Sequence, residues 1–541
     1  MNNKFLSLIY PSEESYERHM NGKDKPDISE DVSVELGISD MVDMKNGNIS
    51  DYYTYNKDVI EYRQKTFADM INIPRLSDAL AKALPILCDI LELRRLSEDL
   101  RNTSDNYLYS ITEIELYVHV IDVLWGEIST VKDEIKSPAF LSLFSTVEEL
   151  ATGSYYTELN DNLKKLSSRI REVKSVTVGV NLDAQMRPTE AGIISVNPER
   201  FKSGKTLDKI LRLSFKNDSF TCIASLTPFG GEESENQRDA LVGAFMRGIS
   251  EVYRHSVKDW RRIAGEYVLE NTDFLLKLLP EIEFVSKCTL VVRSLESKGY
   301  KLSFPTVCDM SEKAFSAKEL YNPDVALRID TKIVENDFCF DDNGRIYILS
   351  GPNRGGKSVI TCAVGLAQAM AQLGMPVCAQ NVSISPCDAI FTHFPEGADD
   401  TIDKGRLGEE CSRLYEIFER VTENSMILLD ESLSSTGAYE ASYIAAEILA
   451  GFASVGCRGV FSTHLHELAA RIDEINERSS QQGGVTVDTL VAGIEDGERS
   501  FKIYRRKPDG KSYARDIANK YGLSYESIIS RRKEKGTQPQ Y

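Results

Sequence analysis

Gly351, Pro352, Asn353, Arg354, Gly355, Gly356, Lys357 and Ser358 match the spacing G-x-x-x-x-G-K-[ST], the loop whose backbone N–H groups cradle nucleotide phosphates. The glycines permit positive φ and close approach of backbone to phosphate. A helix opening near Lys357 adds the partial positive charge of its N-terminus. In that chemistry Lys357 reaches the β and γ phosphates and the Ser358 hydroxyl ligates Mg2+. Val359 belongs to the same site and opens an Ala-rich helical pattern that runs to Leu373. A glycine-rich turn with no nucleotide is the alternative reading. The apolar run Ile346, Tyr347, Ile348, Leu349 before the loop and the helical pattern after it argue against that.

Two further stretches supply what such a loop lacks. Residues 425–431 read S-M-I-L-L-D-E, a strand pattern that delivers Asp430 to hold Mg2+ and Glu431 to polarise the attacking water. Adjacent strand residues face opposite ways, so the pair belongs at the strand's end, where the chain turns. Residues 459–467 read G-V-F-S-T-H-L-H-E, which places His464 at the end of another apolar strand, in position to contact a γ-phosphate. His464 with His466 as a metal pair is disfavoured, because i and i+2 on an extended segment point oppositely and no third ligand is near.

The elements that must hold these groups are spread over 541 residues, enough for three or four domains. The apolar and charged fractions, 42% and 27%, are those of ordinary globular protein. No run of about 18 uncharged apolar residues is present to span a membrane, and the N-terminus lacks a signal-peptide pattern. A cytoplasmic protein is expected. The ten cysteines stand singly, without metal spacing, and read as reduced core residues. A net charge of −19 opposes nucleic-acid binding by the whole surface, since phosphate contacts need Lys and Arg. Locally the sign reverses: residues 161–218 carry 12 Lys and Arg against 7 Asp and Glu, and residues 499–541 carry 12 against 4.

In chain order, residues 1–50 are polar and acidic, with little periodicity, and read as a small appended element or a partly disordered segment. From Val59 the spacing predicts helices, including Leu76, Leu80, Leu84, Leu87 and Leu91 on one face, with a kink or break at Pro85. Further helices are predicted over 111–127 and 138–174. Residues 175–182 and 220–226 are rich in β-branched residues and predict a strand-containing insert. Helical spacing returns over 237–279, ends at Pro280, and resumes over 283–298. From Tyr300 short strands alternate with helices, the pattern of a parallel sheet.

Taken together, these pieces resemble the MutS family of ATPases, relatives of the ABC ATPases. The resemblance rests on Gly351-Pro352-Asn353 with Gly355 to Ser358, on Leu429-Asp430-Glu431 with Ser435-Thr436, and on Thr463 to Leu468. Lys511 to Tyr513 with Ile517-Ala518 and Gly522 resembles the family's C-terminal signature. Ile390-Phe391-Thr392 and Asp399-Asp400 with Gly405-Arg406 resemble its ABC-like signature stretch.

The fold this implies is multidomain, α and α/β: an extension (1–50), lever helices (51–174 and 237–299), a clamp-like insert (175–236) and an ABC-type P-loop ATPase domain (300–541) with dimerisation helices. It implies ATP and Mg2+, and a homodimer in which Gly405, Arg406 and Gly408 complete the partner's site. Ile333, Val334 and Tyr504 are expected around the adenine. Duplex or branched DNA is the expected substrate, held by Lys202, Lys205, Lys209 and Arg212 in the insert. A ribosome or a protein assembly is the rival partner.

The departures from the family pattern are specific. No Phe-x-Glu wedge precedes the levers, so mismatch reading is not expected. A full match to the Smr-bearing branch is not expected either. Arg354 stands where methionine is usual, Leu407-Gly408-Glu409 where Ser-Thr-Phe is usual, and the segment after Glu431 lacks the usual glycines.

Overall fold

The computed structural model describes residues 5–99, 107–170, 175–185, 188–197, 202–203, 221–222, 267, 269–394, 406–465, 467–495, 498–507 and 521–536. They divide into two compact units. One comprises Met1–Ser77, Glu134–Leu141 and Pro280–Tyr541; the other comprises Asp78–Asp133 and Ser142–Leu279. The segment 51–174, expected as levers, is thus shared between them.

The first unit is built on a six-stranded sheet in the order Ile390–His393, Met426–Asp430, Arg458–Ser462, Ile346–Ser350, Val487–Glu495, Glu498–Arg505. The first five strands are parallel and the last is antiparallel. Every residue of the strands Ile346–Ser350, Met426–Asp430 and Arg458–Ser462 is buried. Strands covered on both faces read as continuous apolar runs, and this is why these three stand out in the sequence. Helices Lys357–Leu373 and Ala438–Val455 flank the sheet; Leu449, Phe452 and Ala453 of the latter pack with Ile427, Leu429 and Phe461 in one core. A second sheet orders Thr306–Val307, Gln380–Ile384, Phe315–Leu320 and Asn336–Phe340, with Phe315, Phe338 and Phe340 stacked edge to face.

Residues 5–50 are folded, which settles the open choice for that stretch. Helices Glu13–Met20 and Glu30–Glu35 are capped by Ser12 and Ser29, and Leu8, Ile9, Tyr10, Leu36 and Ile38 are buried. Glu281 accepts from Ser7 Oγ at 2.9 Å and from Leu8 N at 2.6 Å. Glu283 accepts from the backbone N–H groups of Lys45 and Asn46 at 2.7 and 2.9 Å. Arg63, fully buried, donates to the carbonyls of Ile9 and Tyr52.

The end expected at Pro280 is corrected and Pro85 does not break its helix: Pro74–Asp99 and Leu269–Ser297 run through Pro85 and Pro280. Each proline forfeits one backbone N–H and crowds the preceding turn. Around them Ala83, Leu87, Leu279 and Ile282 are buried, and that packing outweighs the loss. The helix predicted over 138–174 is instead two, Pro138–Thr152 and Ser154–Ile170, parted at Gly153. In the second unit the insert contributes an antiparallel hairpin, Ser175–Leu182 with Pro188–Asn197. Of the strand predicted over 220–226 the described part is Thr221–Cys222, parallel to Lys202–Ser203.

Candidate functional site

Three neighbouring parallel strands end at one place. Ile346–Ser350 hands over to Gly351 at φ +140°, where a Cβ would lie 2.7 Å from Ala492 Cβ, so only glycine fits. Gly356 caps helix Lys357–Leu373 at φ +91°, and the helix opens at the expected lysine. The Lys357 ammonium lies 3.4 Å from Gly351 O, 3.3 Å from Pro352 O and 3.4 Å from the His464 ring nitrogens. Burial lowers its pKa, opposed by the charges of Glu431 and Asp430.

The carboxylates occupy the expected turn. Asp430 is the last residue of its strand and is buried, and its Oδ1 has no hydrogen-bond partner among the described residues. A buried carboxylate oxygen in that condition fits a cation site. Glu431 adopts φ +48°, donates its N–H to Ser462 O at 2.8 Å, and presents Oε1 to His464 Nε2 at 2.6 Å. His464 lies two residues beyond the end of strand Arg458–Ser462. His466 is outside the described residues.

A cavity of about 440 Å3 runs from this point to the four-stranded sheet. Arg354, Gly355, Gly356, Lys357, Ser358, Val359 and Glu431 line it, as do Ile333 and Val334. Two aromatic residues line it, Tyr321 and Phe501, and sequence reasoning missed both. Tyr504, expected there, instead donates from its hydroxyl to Glu495 Oε1 at 2.7 Å and does not line the cavity. Phe501 reaches the cavity from φ +56°, with its carbonyl accepting from Asn336 Nδ2 at 3.1 Å, a pairing across 165 residues that local pattern does not reveal.

Gly405 lies outside the described residues. Arg406 opens helix Arg406–Arg420 and Gly408 follows within its first turn; Gly408 does not line the cavity of its own chain. Lys202 sits in the two-residue strand Lys202–Ser203. Lys205, Lys209 and Arg212 lie outside the described residues. Among the described residues no helix is long and apolar enough to cross a membrane.

With this geometry in place, comparison with known families is decisive. The family model for MutS domain V matches residues 347–537, and that for the MutS2 N-terminal domain matches residues 55–298. The chain belongs to the MutS family. A DNA mismatch repair protein MutS from Prochlorococcus marinus (strain MIT 9312) is 34% identical over 183 residues, covering 33% of this chain and 20% of the relative. DNA mismatch repair protein MutS 1 from Haloarcula marismortui is 27% identical over 382 residues, 68% of this chain and 38% of that one. Endonuclease MutS2 from Thermus thermophilus is 29% identical over 220 residues, 40% and 28% of the two. The MutS-family chain therefore spans well under half the length of these curated relatives. Ile333, Val334 and Asn336 fall between the two matched regions.

Proposed function

We propose that this MutS-family chain is a Mg2+-dependent ATPase whose nucleotide cycle opens and closes a dimeric clamp on DNA. The observation that carries the reading is the meeting of Lys357, His464 and Glu431, the first and last of which line one cavity. Lys357, Glu431 and His464 are separated by up to 107 positions in the sequence, yet their polar groups meet.

ATP would lie with its base toward Phe501, Ile333 and Val334 and its phosphates on the N–H groups of Arg354 to Ser358. Lys357 then exchanges two loop carbonyls for phosphate oxygens, which pair with an ammonium more strongly. Ser358 and Asp430 would hold Mg2+, which shields the charge of the β and γ phosphates when bound. Glu431 takes a proton from the attacking water, and His464 contacts the γ-phosphate. The Gly405-Arg406-Gly408 segment of a second copy would complete the site, coupling closure to bound ATP.

DNA is the favoured substrate because the relatives are named for mismatch repair and as an endonuclease, and because the insert is locally basic. A ribosomal or protein-assembly partner is the second reading, favoured by the net charge of −19. Two measurements on the full chain test the proposal. Phosphate release from MgATP is expected, and its absence refutes the ATPase reading. Affinity for duplex and branched DNA is expected to fall with salt at a slope of about −0.9 per phosphate contact. Salt-dependent binding to ribosomal RNA with none to DNA supports the second reading.

A further inference from the structure

Glu431 sits in a backbone turn that the chain holds against its own preference. Glu431 and Leu433 both lie in the left-handed region, at φ +48° and +65°, with Ser432 between them. Two non-glycine residues in that region so close together persist only where the surroundings over-determine them. The chain has no glycine between Glu431 and Gly437 to ease the turn.

Three anchors are visible. The Glu431 N–H donates to Ser462 O at 2.8 Å. Leu433 is 1% exposed and belongs to the core under the sheet. Between them, Ser432 Oγ lies 2.7 Å from His393 Nδ1, and both residues are at least 96% buried. The serine hydroxyl also lies 3.3 Å from the His393 carbonyl oxygen, so it can donate there while accepting from Nδ1–H.

His393 closes the neighbouring strand, Ile390–His393, in register with Leu429 of the carboxylate strand. Burial pushes its imidazole down to about 4, with the charge of Arg413 acting in the same sense. It therefore stays neutral at ordinary pH, and the link to Ser432 does not switch with protonation.

We infer that Ser432 and His393 form a positioning pair that holds Glu431 in its left-handed turn and so aims its carboxylate at the attacking water. The inference rests on the proposed ATPase reading. Neither residue lines the cavity, so each acts through Glu431. Without the Ser432 hydroxyl the middle anchor is lost and the turn relaxes toward ordinary backbone, while the phosphate loop, carried on another strand, is untouched.

The test uses the full chain, with MgATP turnover and MgATP binding measured separately. Ser432→Ala removes one oxygen and is expected to lower kcat about 10- to 100-fold, the cost of misplacing a reacting group by roughly an ångström, with Kd for MgATP within about twofold. Ser432→Thr, which keeps the hydroxyl, and His393→Asn, whose side-chain amide can occupy the place of Nδ1, should restore kcat to within about threefold of the parent. In a Glu431→Gln background Ser432→Ala should change the residual single-turnover rate less than about twofold, because the group being aimed is already disabled. Unchanged kcat in Ser432→Ala, or parallel loss of kcat and affinity, overturns the inference. A parent chain with no turnover defeats the ATPase reading instead. The positioning pair is then judged by the crystal structure of Ser432→Ala: a displaced Glu431 carboxylate supports it, and an unmoved one overturns it.

Discussion

Glu281 offers the sharpest stability prediction. It follows Pro280 in helix Leu269–Ser297, and its carboxyl group receives Ser7 Oγ at 2.9 Å and Leu8 N at 2.6 Å. Around it stand the guanidinium of Arg63 and the phenols of Tyr10, Tyr52 and Tyr62. Burial raises its pKa from 4.5 to about 7, against the opposing effects of the Leu8 and Ser7 hydrogen bonds and the Arg63 charge. An acid whose folded pKa is raised keeps a proton that the unfolded chain releases. Its contribution is therefore most favourable below pH 4.5, weakens as pH rises from 4.5 to about 7, and is a constant cost above that. At about 1.4 kcal/mol per unit the upper bound is about 3.5 kcal/mol, and partial exposure of the residue reduces it to about 3 kcal/mol or less.

Glu281→Gln is neutral at every pH and keeps an acceptor for Leu8 N. At pH 8 it should protect the N-terminal segment better than the parent by up to about 3 kcal/mol, and at pH 4.5 the two should coincide. The assay is amide hydrogen exchange at Leu8, Ile9 and Tyr10, corrected for intrinsic rate, because a global unfolding energy is ill-defined for a chain of two compact units. A variant less protected than the parent at pH 8, or an advantage that grows as pH falls, refutes the reasoning.

Three other outcomes follow from the site and the insert. Glu431→Gln should cut MgATP turnover at least about 10²-fold with affinity nearly intact, whereas Lys357→Ala should weaken binding itself; equal loss of binding in both merges the two roles. Phe501→Ala should lower affinity for ATP about tenfold, on the scale of one base stacked on an aromatic ring, while Tyr504→Ala should leave it unchanged; equilibrium titration with a fluorescent ATP analogue separates them. Changing Lys202, Lys205, Lys209 and Arg212 together to Glu should abolish DNA binding and flatten its salt dependence, which rises by about 0.9 per phosphate contact; full binding at moderate salt removes the insert from the interface.

What the sequence revealed follows from how local each determinant is. The phosphate loop needs eight consecutive residues, and its carboxylate and histidine partners each follow an apolar run, so strand, turn and polar group are read in one window. Phe501 was hidden because its place depends on a left-handed backbone at a non-glycine residue and on Asn336 in a different sheet. The first fifty residues were hidden for another reason. Leu8, Ile9 and Tyr10 are consecutive, and the spacing of four at Ile28, Val32 and Leu36 spans only a short acidic segment around helix Glu30–Glu35, yet each of these residues, like Ile38, is buried. They dock singly on a larger body: Asp27 pairs with Asp388 and Ile390 along the outermost strand, and Leu36 is placed where a Cβ on Gly365 would lie 2.7 Å away. Periodicity detects a segment that makes its own face and is blind to one that fills another's.

The same geometry separates what is fixed at the site from what must move. Asp430 is in register with Ser462, and Ser462 with Leu349, so the sheet sets the spacing of the three strand ends whether or not a nucleotide is present. Side chains hold the freedom. The 3.3 and 3.4 Å contacts of Lys357 with loop carbonyls are at the long limit of hydrogen bonding, and a phosphate oxygen would replace them at little cost. The 2.6 Å contact of His464 with Glu431 is short and directly occupies the carboxylate proposed to receive the water's proton. A γ-phosphate that draws His464 away would release Glu431 at the moment substrate arrives; a diphosphate, lacking that group, would leave the contact closed. The His464 resonances should therefore move with a non-hydrolysable triphosphate and stay near their free positions with ADP, and equal shifts with both ligands would remove His464 from that role.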